Sequence, residues 1–241
     1  LGLIQIGGLG LMTFSVIIFH ALGKRVSIRE SMAVRDLFSP TAGRDMYSLI
    51  RSILSFTIVA EGLGALFLFL HLSHQFSWAK AVYLSVFHSV SAFCNAGFAL
   101  FSSSLTHYSN DLVMNAVIMA LVVLGGIGFP VVYEVFSRLK HRAVRHKWSA
   151  QSKIVCCTTL VLILAGMAVI WLGESPLALQ DKSVQQSMLL TLFQSVTCRT
   201  AGFNTMDISA MSTTSLSFMM FLMFVGGSPG SCAGGIKTTT L

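Results

Sequence analysis

Charged residues are scarce in this chain: they make up 10% of its 241 residues, and only 9 are acidic. A soluble domain carries about 25%, so a surface that faces water on every side is excluded. Cysteine builds no framework either. Cys94, Cys156, Cys157, Cys198 and Cys232 are odd in number and lack metal-ligand spacing, which leaves them as small, membrane-buried apolar residues. No soluble nucleotide-binding domain accompanies the apolar segments, which argues against a membrane ATPase. No signal peptide is visible, position 1 is Leu, and position 241 follows Lys-Thr-Thr-Thr. The chain therefore reads as a segment of something longer.

What is present is apolar. Hydrophobic residues reach 54% and the mean hydropathy is +0.76. A helix crossing lipid needs about 20 mostly apolar residues. Residues 1–22 contain no acid or base, 50–72 only Arg51 and Glu61, 112–136 only Glu134, and 154–173 none. The stretch 213–225 is apolar but short and runs into glycines. An all-α polytopic membrane protein is expected, placed by a multi-pass topology in the cell membrane.

The net charge of +7 would suit nucleic acid, but its distribution does not. Lys24, Arg25, Arg29, Arg35, Arg44 and Arg51 form one cluster, and Arg138, Lys140, Arg142, Arg145, Lys147 and Lys153 form another. The intervening connections hold only Lys80 or Lys182. This alternation follows the positive-inside rule: both basic loops are expected in the cytoplasm, near anionic lipid, and nucleic acid is not expected as a partner.

The chain repeats itself. Phe87-His-Ser-Val-Ser-Ala-Phe-Cys-Asn-Ala-Gly-Phe98 resembles Phe193-Gln-Ser-Val-Thr-Cys-Arg-Thr-Ala-Gly-Phe203 with one residue gapped. Downstream of each lies a glycine pair, Gly125-Gly126 and Gly226-Gly227, and Gly7-Gly8 belongs to an earlier copy. The apolar segments 78–93 and 187–197 are too short to cross: 11–16 helical residues reach roughly 16–24 Å. With both basic loops inside, each segment must enter and leave on the outer face, as a re-entrant pore helix. Irregular backbone at membrane depth survives only when it is buried in protein or lines a watery path.

A desolvated potassium ion needs several oxygens in place of its water shell, and backbone carbonyls supply them in channel filters. Such a carbonyl row favours glycine, and the helix before it points its negative dipole end at the ion. Asn95-Ala96-Gly97-Phe98 and Thr200-Ala201-Gly202-Phe203 suit that role. Residues 230–238 approach a phosphate-binding loop, but Ile236 separates glycine from Lys237 and the preceding segment is an apolar helix. The Gly7-Gly8-Leu9-Gly10 run is weaker still as a dinucleotide fingerprint.

These segments, together with Phe224-Val-Gly-Gly-Ser-Pro-Gly-Ser-Cys-Ala-Gly-Gly-Ile-Lys-Thr-Thr-Thr240, resemble the Trk/Ktr/HKT superfamily of potassium transporters. The match is best with bacterial Ktr-type or Trk-type membrane subunits and covers essentially the whole chain. The resemblance implies four helix–pore helix–helix repeats around one pore, with one filter glycine in each. By that pattern 1–22 is the inner helix of repeat one and 23–48 a basic loop. Repeat two occupies 49–138, with its filter at 95–98, and a second basic loop occupies 139–153. Repeat three fills 154–241, with its filter at 200–203 and a broken inner helix. Potassium would sit at Gly97 and Gly202. Gly226, Gly227, Ser228, Pro229, Gly230, Ser231, Cys232, Ala233, Gly234 and Gly235 would form a gating loop under the filter. Cys94, Cys198 and Cys232 depart from the residues usual at these places, where Asn, Pro and Thr are common. The resemblance further implies a cytosolic nucleotide-binding regulatory subunit and a pair of membrane subunits.

Five side chains carry separate expectations. Arg199 is expected behind the filter as a brace on backbone carbonyls, Lys237 as an anchor of the loop, and Glu61 as an intramembrane acid bonded to the backbone of a neighbouring repeat, with a direct ion ligand as the alternative. His88 and Gln194, at equivalent places, are expected to support the filter. The function expected is non-enzymatic conduction of potassium, passive or as a sodium symport, with no covalent cofactor. The alternative is a secondary transporter of another solute, with a midplane site at the broken helices.

Overall fold

The computed structural model describes residues 1–8, 46–140 and 148–240. Most of the expected segments 1–22 and 23–48, and the middle of 139–153, lie outside the described residues. Among the described residues the chain is helical, and its only extended pairing is a bridge between Val225 and Ile236. The helices are α1 (Gly2–Gly8), α2 (Met46–Leu72), α3 (Trp78–Phe93), α4 (Leu112–Ile127), α5 (Phe129–Lys140), α6 (Ala150–Glu174), α7 (Val184–Thr197) and α8 (Thr213–Phe224).

Two units share one plan: a long helix, a short one, a turn segment, then an inner helix. The first is α2–α3–α4 and the second α6–α7–α8. The long helices contain apolar spans at Arg51–Leu72 and Ala150–Glu174, and little of either is buried. A soluble core helix of that composition would be covered. Here Ile58, Leu63 and Phe67 on α2, and Ile154, Leu160 and Leu164 on α6, face outward, as contact with lipid requires.

Within each unit the short helix packs on the long one. Between units, α4 packs on α7, and α1 stands in the same relation to α3. An inner helix thus leans on the short helix of the following unit.

The helix starts are set by local chemistry. Asp111 accepts from Met114 N at 3.0 Å, Ser149 from Ser152 N at 3.1 Å and Ser212 from Ser215 N at 3.2 Å. Ser183 and Gln186 form a capping box at α7. Such caps satisfy amide groups that have no partner inside the helix. At the same end of both units, a polar link ties the long helix to the inner one. His71 pairs with Asp111 in the first. In the second, Glu174 Oε1 accepts from Ser212 N at 2.9 Å and Ser212 Oγ at 2.8 Å. The acid has moved from one helix to the other. At the opposite end, Glu134 of α5 accepts from Ser149 N at 2.9 Å and Ser149 Oγ at 2.7 Å.

The apolar run 112–136, expected as one inner helix, is two helices. The chain passes helically through Gly125 and Gly126 and breaks at Gly128, whose φ is +88°. Pro130, the second residue of α5, lacks the N–H that a continuous helix would need. α4 is 16 residues long and α8 is 12, or roughly 24 and 18 Å.

Candidate functional site

The turn segments after α3 and α7 share an unusual backbone. Asn95 has φ +51° and Gly97 +70°; Thr200 has +68° and Gly202 +92°. Ala96 and Ala201 between them do not lie in the positive-φ region. Left-handed residues therefore alternate with ordinary ones in both copies. Glycine adopts this region freely, whereas Asn tolerates it and a β-branched Thr does so only when its surroundings impose it.

Backbone bonds at the helix ends hold it: Asn95 N donates to Ala92 O at 3.1 Å, Ala96 N to Ser91 O at 2.9 Å and Gly202 N to Thr197 O at 3.3 Å, and hydroxyl groups of the short helices add to them. Ser91 Oγ donates to Phe98 O at 2.8 Å, and Thr197 Oγ1 donates to Phe203 O at 2.8 Å. Each bond staples the end of a turn back to its helix. Two residues earlier, Ser89 Oγ donates to Glu61 O at 2.6 Å and Ser195 Oγ to Ile163 O at 2.7 Å. These fix each short helix to its long partner, where Gly64 and Gly166 admit the hydroxyls closely. His88 adds a further tie. Its Nδ1 donates to Leu84 O at 2.7 Å and its Nε2 accepts from Leu100 N at 3.3 Å, a pattern that requires a neutral imidazole. Gln194, at the equivalent place, reaches Met219 Sδ at 4.0 Å and not the turn.

The two turns meet. A Cβ on Gly97 would stand 2.8 Å from Gly202 Cα, and a Cβ on Gly202 would stand 3.4 Å from Gly97 Cα. Gly202 is exposed and Gly97 half-buried, so the pair borders an opening. The C-termini of α3 and α7, capped by Cys94 and Cys198, direct the negative ends of their dipoles toward this place.

Residues 226–235 are not helical. The segment is closed at its base, where Gly226 N donates to Ile236 O at 3.0 Å and Thr238 N to Gly227 O at 3.1 Å. It then docks on the break between α4 and α5. Ser228 N donates to Gly126 O and Cys232 N to Gly125 O, both at 3.0 Å, while Phe129 N donates to Gly230 O at 3.1 Å. Ser228 Oγ also donates to Ile127 O. The carbonyls freed by one broken helix thus accept from the amides freed by another, which answers the cost of unpaired backbone groups in an apolar medium.

The loop also hangs from the second turn. Gly234 N donates to Thr200 Oγ1 at 3.1 Å, and Arg199 Nη2 donates to Gly226 O at 3.2 Å. Arg199 is 8% exposed, and its Nε has no partner among the described residues. Lys237 Nζ donates to Ala233 O at 2.7 Å, within the loop's own chain. Glu61 sits on α2 against Gln5 of α1 and the Cys94 thiol, the latter at 3.8 Å. Among the described residues its carboxyl bonds side chains of neighbouring elements rather than their backbone. Asn95 keeps both amide atoms buried without a partner among the described residues, beside Gly125.

Sequence reasoning missed the docking surface at Gly125–Gly128 and the hydroxyl staples of Ser91 and Thr197. A signal for the staples existed: Ser and Thr hold the same place in the two copies. Nothing local marks the docking surface, because it is made of backbone carbonyls.

Two copies of long helix, short helix, turn and inner helix, with exposed apolar flanks, define a helical membrane protein built from repeats. The chain belongs to the TrkH cation transport protein family, whose model matches residues 2–241. It is 38% identical to Ktr system potassium uptake protein B of Bacillus subtilis over 243 residues, covering 100% of this chain and 54% of that protein. It is 36% identical to potassium/sodium uptake protein NtpJ of Enterococcus hirae over 240 residues, covering 99% and 52%. The fold matches the crystal structure of the potassium transporter TrkH from Vibrio parahaemolyticus with a TM-score of 0.66 at 20% identity, covering 98% of this chain and 45% of that one. The chain spans about half the length of the curated relatives it matches.

Proposed function

We propose that this chain forms part of the pore of a potassium-uptake transporter. One observation carries the reading: two turns with the same alternating left-handed backbone, each at the negative end of a short helix, meet at Gly97 and Gly202. Carbonyls of Asn95, Ala96 and Gly97, and of Thr200, Ala201 and Gly202, replace the water shell of the ion there. The relatives are named for uptake of potassium, or of potassium and sodium, which favours an alkali cation as substrate.

Residues 226–235 act as the gate. Their ties to Thr200 and Arg199 on one side, and to the α4–α5 break on the other, support a position across the path. Arg199 braces the loop, Lys237 holds its shape, and Glu61 supports the elements behind the first turn. The basic segments 23–48 and 139–153 face the cytoplasm of a multi-pass cell-membrane protein. There they meet a nucleotide-binding regulatory subunit, and two membrane chains pair.

The test is uptake by the full-length protein in cells lacking their own potassium transporters. Saturable rubidium and potassium uptake, measured with and without sodium, is the expected result and reports any coupling. Membrane-inserted protein that carries neither ion contradicts the proposal.

A further inference from the structure

The loop and the first turn meet at two thiols. Cys94 caps α3 directly before Asn95. Cys232 lies in the loop, and its N–H donates to Gly125 O at 3.0 Å. Gly125 in turn abuts Phe93: a Cβ there would run into the Phe93 carbonyl oxygen. The end of α3 and the loop are thus brought to either side of one glycine, and the Cys232 side chain, packed against the core cluster that holds Cys94, lies beside that thiol. Both are free. Cys94 is 4% exposed and Cys232 is half-buried. Gln5 Oε1 and Glu61 Oε1, each 3.8 Å from Cys94 Sγ, wall the thiol in on its other side. The remaining cysteines lie apart, Cys156 and Cys157 on α6 and Cys198 at the end of α7.

We propose that Cys94 and Cys232 are an oxidisable dithiol that locks the loop to the first turn when a peroxide reaches the pore. This rests on the loop being the gate. Cys232, the more accessible sulfur, attacks the peroxide: an S–O bond forms, the O–O bond breaks, and one water leaves. The Cys94 sulfur then displaces the oxygen of that sulfenic acid. The S–S bond forms, and the oxygen departs as a second water with the Cys94 proton. Two thiols lose two electrons and two protons, and the peroxide becomes two waters. A dithiol reductant reverses the step, as suits a protein whose inner face meets a reducing cytosol. The unoxidised loop is held by hydrogen bonds that break and re-form thermally. The disulfide removes that freedom, so the oxidised protein stays shut.

The test uses the full-length protein in vesicles, with rubidium flux read before peroxide, after peroxide, and after dithiothreitol. A severalfold, reversible fall in flux is expected, with a Cys94–Cys232 cross-linked peptide found by mass spectrometry. Cys94→Ser and Cys232→Ser, each compared with its own untreated flux, should lose the response. Cys232→Ser alone suffices if Cys94→Ser does not assemble. Absence of the cross-link in samples where the exposed Cys157 has been oxidised overturns the lock and leaves the gate untouched. A cross-link that forms without changing flux overturns the lock and the gate together.

Discussion

Gly234 hangs from Thr200: the amide of the loop residue donates to the hydroxyl of the turn residue at 3.1 Å. Thr200 has φ +68°, so a strained position in one segment is also the anchor of the other. Removing the hydroxyl should loosen the loop. A hydrogen bond of this kind is worth about 1 kcal/mol, so Thr200→Ala should raise flux by roughly fivefold if the closed state alone holds the bond. Thr200→Ser keeps the donor's target and should stay near the parent. Equal flux in the two variants would show that the bond does not restrain the gate.

Deleting 228–233 tests the loop more severely. The deletion removes the bonds from Ser228 N and Cys232 N to Gly126 O and Gly125 O. Flux should rise, with the preference for potassium over sodium retained, because the turns at 95–98 and 200–203 remain. A protein that inserts normally but conducts no more than the parent would make the loop a packing feature.

The polar links at the helix ends predict a stability effect. Ser212 caps α8 and binds buried Glu174 through both N and Oγ. Ser212→Ala should cost about 1 kcal/mol, the usual loss for an N-cap. Ser212→Asp copies the cap of the first unit but sets a second carboxylate beside Glu174. It should destabilise more than the Ala variant, because like charges repel at close range. Thermal unfolding of the detergent-solubilised full-length protein at neutral pH checks this, and an Asp variant as stable as the parent would contradict it.

Orientation has its own test. Single cysteines placed at 102–109 or 175–183, in a background without the native five, should react with an impermeant thiol reagent added outside. Cysteines at 138–153 should not. The reverse pattern would invert the topology.

The helical fold and the family were legible because both depend on composition and on long motifs. Apolar runs mark helices, and a repeated Ala-Gly-Phe marks paired segments. The break at Gly128 was not legible, since hydropathy across 112–136 is continuous and registers no backbone angle. The left-handed angles of Asn95 and Thr200 were equally hidden. Asn favours positive φ only weakly and Thr not at all, and the angles are set by helix-end bonds such as Ala96 N to Ser91 O and Gly202 N to Thr197 O, which depend on where each short helix stops. Arg199 could be placed behind its turn on electrostatic grounds, but its partner, Gly226 O, depends on where α8 ends. The Gln5–Glu61–Cys94 group joins positions from three elements, and no local pattern connects them.

The central claim is that the meeting of Gly97 and Gly202 forms the ion path. Ion selectivity in Gly97→Ser and Gly202→Ser tests it most directly. A side chain at φ +70° costs on the order of 1 kcal/mol, and at Gly97 it also lands 2.8 Å from Gly202 Cα. The carbonyl geometry must then shift and the added hydroxyl offers a competing oxygen. The ratio of potassium to sodium uptake by the full-length protein should fall in both variants. An unchanged ratio in both, in protein that still conducts, would contradict the assignment.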